Sequence, residues 1–427
     1  MIKIGILGCG TIGGGVIKLL QENGNEIEQK MDCRIEIKKV LARTPEKARA
    51  LGVKDEAITQ DPDDIFNDPE IQIVVELIGG IETAKDFISR AITAGKNVVT
   101  ANKDLIARHG NELYRLANEQ NIDLYYEASV GGGIPIIMPM RRTLAANNIL
   151  SMTGILNGTT NYMLTRMDKD GMSYNDVLTE AQELGFAEQD PTADVDGLDA
   201  GRKIAILAKL AFNADVSDFD VTCEGIRSIR QRDMVLARDL GYVIKLLAVA
   251  KDNDDGIELG VYPAFVPSRH PLAAVNDAYN ALFVKGDAVG DVMLYGLGAG
   301  AMPTASSVVG DIMQIVRHIN VGSTGTGNDL RMFERQVLPL AESVYSYYVC
   351  LMVDDQPNVL SAIAKAFGDH DVSIQSVVQK YAKNNWAELV LVTHDVKKKH
   401  IDAALSEIGQ LPEVRSIDNV IRVMNDL

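Results

Sequence analysis

The chain has 427 residues, too many for one ordinary hydrophobic core, so two or three domains are expected. An apolar content of 46% and a charged content of 24% are globular values that exclude general disorder. A formal charge of −17 excludes a nucleic-acid partner, which would need Lys and Arg clustered against phosphates.

Ile2–Leu7 reads as a buried strand, an apolar run too short for the core of a signal peptide. It leads directly into Gly8-Cys9-Gly10-Thr11-Ile12-Gly13, a G-x-G-x-x-G loop, and then a helix over Gly14–Asn23 that ends near Gly24. Glycines at this spacing permit a tight turn and let the backbone approach a pyrophosphate, which then sits at the positive end of the helix. With 36 glycines in the chain, chance matches are easy, so the weight comes from the strand–loop–helix context. A turn with only a structural purpose is the alternative.

The second strand, Ile35–Ala42, ends in Leu41-Ala42-Arg43-Thr44. An acidic residue there would bond a ribose 2′-hydroxyl and repel a 2′-phosphate. Arg43 offers a fork that suits phosphate, which favours NADP(H) and leaves NAD(H) open, the other reading being a solvated surface arginine. A helix at Pro45–Leu51, a strand at Ile71–Ile78, a helix at Ala84–Ala94 stopped by Gly95, and a strand at Asn97–Thr100 continue the alternation. A helix around Glu112–Asn118 and a strand at Leu124–Ala128 complete it, giving an α/β fold with a Rossmann-type doubly wound parallel sheet. Lys103 follows a strand end, the edge at which such sheets bind ligands; capping a surface loop is its blander role.

The texture changes at Val130-Gly131-Gly132-Gly133-Ile134-Pro135. Strands at Ile149–Ile155 and Val243–Ala250 then mix with helices at Tyr174–Leu184 and Leu198–Phe212, the pattern of an α+β domain with an open sheet. Residues 303–319 read as a helix that returns to the first domain and starts at Pro303-Thr304. Gly322-Ser323-Thr324-Gly325-Thr326-Gly327 reads as a mobile loop or linker. A closing βαββαβ cycle, compact enough to fold alone, comprises strand Tyr347–Val353, helix Asn358–Phe367, strands Ser373–Gln379 and Ala387–Thr393, helix Lys399–Gly409 and strand Val414–Val423. The expected domains are 1–130 with the return helix 301–320, 131–300, a linker 321–345, and 346–427.

Cys9, Cys33, Cys223 and Cys350 are widely spaced and include no C-x-x-C pair, which speaks against a disulfide framework or zinc site and for a reducing compartment. The most apolar later stretch, Ile204–Phe212, contains Lys209 and is far short of a membrane span. A cytoplasmic protein without a membrane partner is expected.

The most informative stretch runs from Gly185 to Lys203 and contains Glu188, Asp194, Asp196, Asp199 and Lys203. Asp199 and Lys203 are four residues apart and share a helix face that continues as Ile206, Leu207 and Leu210, while Arg202 and Lys209 lie together elsewhere. Two charges heading an apolar face suit a closed cleft. A lysine kept charged by carboxylates can give a proton to a carbonyl oxygen as hydride reaches carbon, and the carboxylates can hold a substrate ammonium. An ordinary helix-stabilising pair worth a few tenths of a kcal/mol is the alternative.

At this point the chain resembles the homoserine dehydrogenase family. The similar segments are the glycine loop, Asn102-Lys103, Glu127 to Pro135, Gly154 to Tyr162, Gly185 to Lys203, Gly298-Ala299-Gly300, and Pro303 to Ser306. They cover about residues 1–320 in the family's order. The resemblance implies reduction of L-aspartate 4-semialdehyde to L-homoserine with NAD(P)H, on the way to threonine, methionine and isoleucine. It implies that Lys203 donates the proton, that Asp199 and Glu188 grip the amino group, and that Lys103 sits between nicotinamide and substrate. It also implies cofactor contacts at Thr100, Gly185 and Gly300 beside Gly8, Gly10, Thr11, Ile12, Gly13 and Arg43. Glu127 with the carbonyls of Val130, Gly132 and Ile134 would form a structural sodium site shaping the hinge between domains. A homo-oligomer, dimer or tetramer, through the middle domain is implied as well. Gly201 departs from the family, which usually has a better helix former there.

The closing cycle resembles an ACT domain, a small-ligand sensor, and on a threonine-pathway enzyme it implies threonine as effector; a role in oligomer contacts alone is the alternative. Asn358 stands where that family usually has glycine, although Asn also tolerates positive φ. Two rival functions stay open beside the resemblance. Another amino-acid dehydrogenase, such as one acting on aspartate, would share the glycine loop without needing Gly185 to Lys203. A non-catalytic sensor would have no reason to keep Glu188, Asp199 and Lys203 together.

Overall fold

Alternating β-branched runs and glycine-stopped helices dictate the first part of the chain. The computed structural model describes residues 1–326, 332–383 and 385–425, with side chains at 380–384 excepted, so Gly327 of the expected linker lies outside the described residues. In chain order come β1 (Ile2–Leu7), α1 (Thr11–Glu22), α2 (Gly24–Met31), β2 (Ile35–Leu41), α3 (Pro45–Ala50), β3 (Ile58–Thr59), α4 (Asp63–Phe66), β4 (Ile71–Glu76), α5 (Glu82–Thr93), β5 (Asn97–Thr100), α6 (Lys103–Glu119) and β6 (Leu124–Tyr125). The middle of the chain supplies β7 (Ile149–Ile155), α7 (Gly158–Asp170), α8 (Tyr174–Glu183), α9 (Thr192–Val195), α10 (Leu198–Phe212), β8 (Thr222–Cys223), α11 (Gln231–Asp239), β9 (Tyr242–Asn253), β10 (Gly256–Pro267), β11 (Tyr279–Gly286), β12 (Gly290–Leu297) and α12 (Ala301–Val321). The tail holds β13 (Val344–Asp354), α13 (Val359–Asp369), β14 (Ile374–Lys383), β15 (Trp386–Thr393), β16 (Val396–Lys397), α14 (Lys398–Ile408) and β17 (Val414–Val423). The helices α2, α7 and α11 are not foreseen by the sequence pattern. The first helix ends near Gly24 as expected, at Glu22 with Asn23 N–H donating to Leu19 O at 2.9 Å, and Gly24 then starts α2.

Two compact units emerge. Met1–Ile149, Arg202–Asp220 and Asn280–Arg335 form the first; Leu150–Gly201, Val221–Tyr279 and Gln336–Leu427 form the second. The first is built on a parallel sheet of order β3-β2-β1-β4-β5-β6. The order reverses between β1 and β4, the switch point whose carboxyl edge is the ligand site of doubly wound sheets. One face is covered by α1 and α12, and their contact is the reason for Gly15: a Cβ there would stand 2.6 Å from Ala301 O. Ile4, Ile6, Val16, Ile17, Val75, Val99, Val308, Ile312, Ile315 and Val316 are fully buried in this core. The expected return helix 303–319 thus exists, starting two residues earlier, and fills the sheet that residues 1–130 begin.

The second unit carries strands in the order β7-β9-β10-β17-β13-β15-β14, with β8 pairing β10. The βαββαβ tail contributes β13, β14, β15 and β17, all joined antiparallel, so the expected cycle is present. Its last strand does more than close that cycle, because β17 also pairs in parallel with β10 at Ala264↔Arg422 and Phe265↔Val423. The described part of the expected linker is anchored too: Ile257 N–H donates to Gln336 O and Leu338 N–H to Ile257 O, both at 2.8 Å. Among the described residues, no helix is long and apolar enough to cross a membrane.

Truncating the return helix tests its share of the first core. Ile312→Ala, at a fully buried site, should cost about 2–5 kcal/mol and lower the unfolding midpoint in denaturant. A midpoint within experimental error of the wild type would show that α12 is dispensable to that core.

Candidate active site

At the end of β1, Gly8 takes φ +103°, and a Cβ on Gly13 would lie 2.1 Å from Gly8 O, so the loop closes only with glycine at both places. Gly10 caps α1 without a side chain, leaving its first N–H groups directed outward. A groove of about 840 Å³ opens beside them, lined by Gly8, Gly10, Arg43, Thr44 and Lys47. A second hollow of about 290 Å³ continues along Leu77, Ile78 and Gly79 to Thr11, Ile12 and Lys103. Together they follow the carboxyl ends of β1 and β4, where a dinucleotide fits. Arg43 therefore joins the glycine loop in one groove, and Lys47 adds a second cation that sequence reasoning missed, although its position one turn into α3 is readable.

The floor of the second hollow is Glu76, fully buried at the end of β4. Its carboxylate accepts from Thr100 Oγ1 at 2.6 Å, Ile78 N–H at 2.8 Å and Gly79 N–H at 3.3 Å. Thr100 in turn accepts from Asn102 N–H at 3.0 Å, and Asn102 donates to Gly80 O at 2.6 Å while capping α6. Thr100 is thus buried behind the hollow and holds the turn that delivers Lys103, the first residue of α6. Burial pushes the Glu76 carboxyl above its ordinary range, and the hydrogen bonds from Thr100 and the loop offset that only in part.

Helix α6 is pinned to α10 by Asp104 with Arg202 at 3.3 Å and Lys209 Nζ donating to Ala107 O at 2.7 Å, and to the turn after α10 by Arg108 with Asp218 at 3.3 Å. Burial lowers the Lys209 amine to about 8, in keeping with a role as a carbonyl clamp. Lys103 and Lys203 each neighbour one member of the Asp104–Arg202 pair, so the two lysines share one locality within the first unit.

In the second unit β7 runs into α7, and Asn157 caps that helix. Its Oδ1 accepts from Thr160 N–H at 2.8 Å and Thr160 Oγ1 at 2.9 Å, which fixes the amide's orientation. Its Nδ2 then donates to Asp194 Oδ1 at 2.7 Å and Asp199 Oδ2 at 3.0 Å. Asp199 is 4% exposed and Lys203, one helical turn further, is 8% exposed, so the pair is buried as its helix face predicts. Gly201 lies between them, where a Cβ would approach Cys223 Sγ to 2.8 Å and make it shift. The departure from a better helix former avoids that shift. Sequence reasoning reaches Asn157 and Asp194 only inside longer segments; an Asn three residues before a Thr, ahead of a helix, is the available capping signal.

The remaining expected site residues each have their own surroundings. Glu188 is exposed after α8, its carbonyl held by Gln182 Nε2 at 3.1 Å. Gly185 ends α8 at φ +76° in open space, and Gly300 caps α12 at φ +117°. Glu127 accepts from the N–H groups of Ile136, Ile137 and Met138 at 2.5, 2.7 and 2.7 Å. Three donors leave about one of the roughly four lone-pair positions of a carboxylate. The carbonyl of Gly132 accepts from Ser307 Oγ at 2.6 Å. Such hard oxygens fit a small cation. No cluster of three or more His, Cys, Asp or Glu suited to a metal occurs among the described residues.

Three family models match the chain in succession: the NAD binding domain of homoserine dehydrogenase at residues 8–127, homoserine dehydrogenase at 135–313, and the ACT domain at 348–413. A homoserine dehydrogenase of Synechocystis sp. is 46% identical over 433 residues, covering 99% of this chain and 100% of its own. One of Bacillus subtilis is 40% identical, covering 99% of this chain and 98% of its own. Among solved structures, a homoserine dehydrogenase from Thiobacillus denitrificans superposes with a TM-score of 0.93 at 40% identity, over 99% of this chain and 98% of its own. A hyperthermophilic archaeal homoserine dehydrogenase in complex with NADPH superposes at 0.64 with 27% identity, over 74% of this chain and 98% of its own.

The buried Glu76 gives a pH signature. Its folded-state pKa lies above that of the unfolded chain, so ionisation costs stability that is absent at acid pH and grows as pH rises through the folded value. Glu76→Gln lacks this contribution. The melting temperature of the wild type relative to the variant should therefore fall as pH rises above the ordinary carboxylate range, each tenfold difference in proton affinity between folded and unfolded chain being worth about 1.4 kcal/mol. A relative melting temperature that stays flat or climbs over that rise would contradict the assignment.

Proposed function

This chain belongs to the homoserine dehydrogenase family of NAD(P)-dependent oxidoreductases acting on a CH–OH group, and on that premise we propose that it interconverts L-aspartate 4-semialdehyde and L-homoserine with NADP(H) as the favoured cofactor. The observation that carries the reading is the buried Asp199–Lys203 pair on α10, with Asn157 bridging Asp199 to Asp194.

The cofactor, when bound, supplies or accepts the hydride. Gly8, Gly10, Thr11, Ile12 and Gly13 would hold its pyrophosphate at the start of α1, with Thr100, Lys103, Gly185 and Gly300 as further contacts. Lys203 holds the proton that goes to the aldehyde oxygen as the new C–H bond forms, and takes it back in the reverse direction. Asp199 and Glu188 grip the substrate ammonium through charge-assisted hydrogen bonds. Lys103 orients the substrate from the cofactor side. Arg43 and Lys47 line the outer groove, and none of its lining residues is acidic, which supports a 2′-phosphate and hence NADP(H) over NAD(H).

The same reading carries the finer attributes. The product feeds threonine, methionine and isoleucine synthesis in the cytoplasm, and the chain works as a homo-oligomer, dimer or tetramer. Threonine acts as effector through the ACT domain, at whose first loop Asn358 adopts φ +72°, so the residue in the usual glycine position keeps the glycine-like backbone. Glu127 and the carbonyls of Val130, Gly132 and Ile134 hold a structural Na⁺.

Absorbance of NADPH, followed on adding aspartate semialdehyde, tests the activity. Lys203→Ala should bind NADPH as the wild type does while turnover falls by about 10²- to 10⁴-fold, the usual share of a positioned proton donor. Near-normal turnover would refute that role. Arg43→Ala should lower kcat/KM with NADPH by about tenfold or more, the worth of a charge-assisted contact, and leave the value with NADH almost unchanged. Equal losses with both cofactors would count against a 2′-phosphate at Arg43.

A further inference from the structure

We propose that Arg422, in the last strand of the ACT domain, is a positioning residue for the carboxylates that grip the substrate, acting through Glu224; this rests on the role given above to Asp199. Arg422 is 3% exposed. Its Nη1 donates to Glu224 Oε2 at 2.7 Å and its Nη2 to Glu224 Oε1 at 2.9 Å, a two-pronged pair. The guanidinium lies 4.0 Å from the centre of the Tyr262 ring, which closes one side of it. Its backbone is held as well, by the parallel pairing of β17 with β10 and by Met424 N–H donating to Phe265 O at 2.9 Å. The arginine is therefore fixed at both ends.

The main chain at Glu224 is constrained as well, while its side chain is half-buried. It follows β8, and its N–H donates to Val261 O at 2.7 Å. The next residue, Gly225, packs so closely on the acid loop that a Cβ would stand 2.1 Å from Val195 O. Ile226 N–H donates to that same carbonyl at 2.8 Å, and Arg227 forms an ion pair with Asp196. The segment 224–227 is thus the bed on which α9 rests. Val195 sits between Asp194 and Asp196, and Asp194 shares the Asn157 amide with Asp199. All these residues lie in the second unit, and each step is a hydrogen bond, an ion pair or a contact with no spare room.

Loss of either partner leaves the other without its counter-charge, and a buried guanidinium in particular must move to find water. Because Gly225 has no slack against Val195, movement of Glu224 shifts the acid loop. A displacement of about 1 Å at a site of this kind is worth up to about a hundredfold. The effect falls on the amino-acid substrate and leaves the cofactor groove, which belongs to the first unit, untouched.

The experiment uses the full-length protein and homoserine oxidation with NADP⁺. Arg422→Met and Glu224→Gln should each raise KM for homoserine by about tenfold or more while KM for NADP⁺ stays within about twofold. The paired change Arg422→Met with Glu224→Leu, which removes both charges, should recover part of the loss, and Arg422→Lys should fall between wild type and Arg422→Met. An unchanged KM for homoserine in variants that melt like the wild type overturns the proposal, as does a parallel rise of both KM values. If the wild type itself does not oxidise homoserine, the functional reading falls and takes this inference with it.

Discussion

An amide nitrogen carries two hydrogens, and at Asn157 they go to two different carboxylates, Asp194 and Asp199. Asp199 is buried and Asp194 half-buried, and two carboxylates left facing one another would repel. The amide lets both approach while its oxygen, committed to Thr160, prevents it from turning. The start of α7, the α9 loop and the first turn of α10 are held in register by this one side chain. The second unit is closely packed nearby as well: a Cβ on Gly225 would stand 2.1 Å from Val195 O, and one on Gly201 2.8 Å from Cys223 Sγ.

The first unit uses the same device on single acids. Glu76 gathers Thr100 and the N–H groups of the loop after β4, Glu127 gathers three N–H groups at 136–138, and Asp311 accepts from Glu127 N–H at 2.8 Å. Each carboxyl is raised by burial, Asp311 well above its ordinary range. Irregular backbone at the edge of a parallel sheet has N–H groups without strand partners, and an acceptor-only side chain satisfies several at once. The hollow beside Lys103 is lined by the loop that Glu76 gathers, so its form depends on that buried acid.

The tail is joined to the middle of the chain by more than its linker. β17 lies against β10, and Tyr345 of the tail meets Tyr262 of β10 with their hydroxyls 2.6 Å apart. Tyr345 also donates to Glu258. An ACT domain fastened by strand pairing, a hydroxyl network and the Arg422–Glu224 pair has a continuous physical connection to the acid loop. Separated domains joined only by a flexible segment would have none.

The periodic parts of this protein were legible in its residues. β1, β7, α10 and the closing strand are local patterns of burial, and the glycine loop, Arg43 and the Asp199–Lys203 spacing are local chemistry. So was the backbone of Asn358, because a short side chain that tolerates positive φ is a property of the residue itself. The helices α2, α7 and α11, the N–H cluster on Glu76 and the amide bridge at Asn157 were not legible. The side-chain bridges depend on partners far off in sequence: Asn157 is 37 residues from Asp194, and Arg422 is 198 from Glu224. Spacing along one helix reports which residues share a face. Only the packed chain decides which acids share a donor, which glycine is forced by a neighbour, and which strand of the tail reaches the catalytic half, because those are matters of volume and unpaired polar groups that no single segment contains.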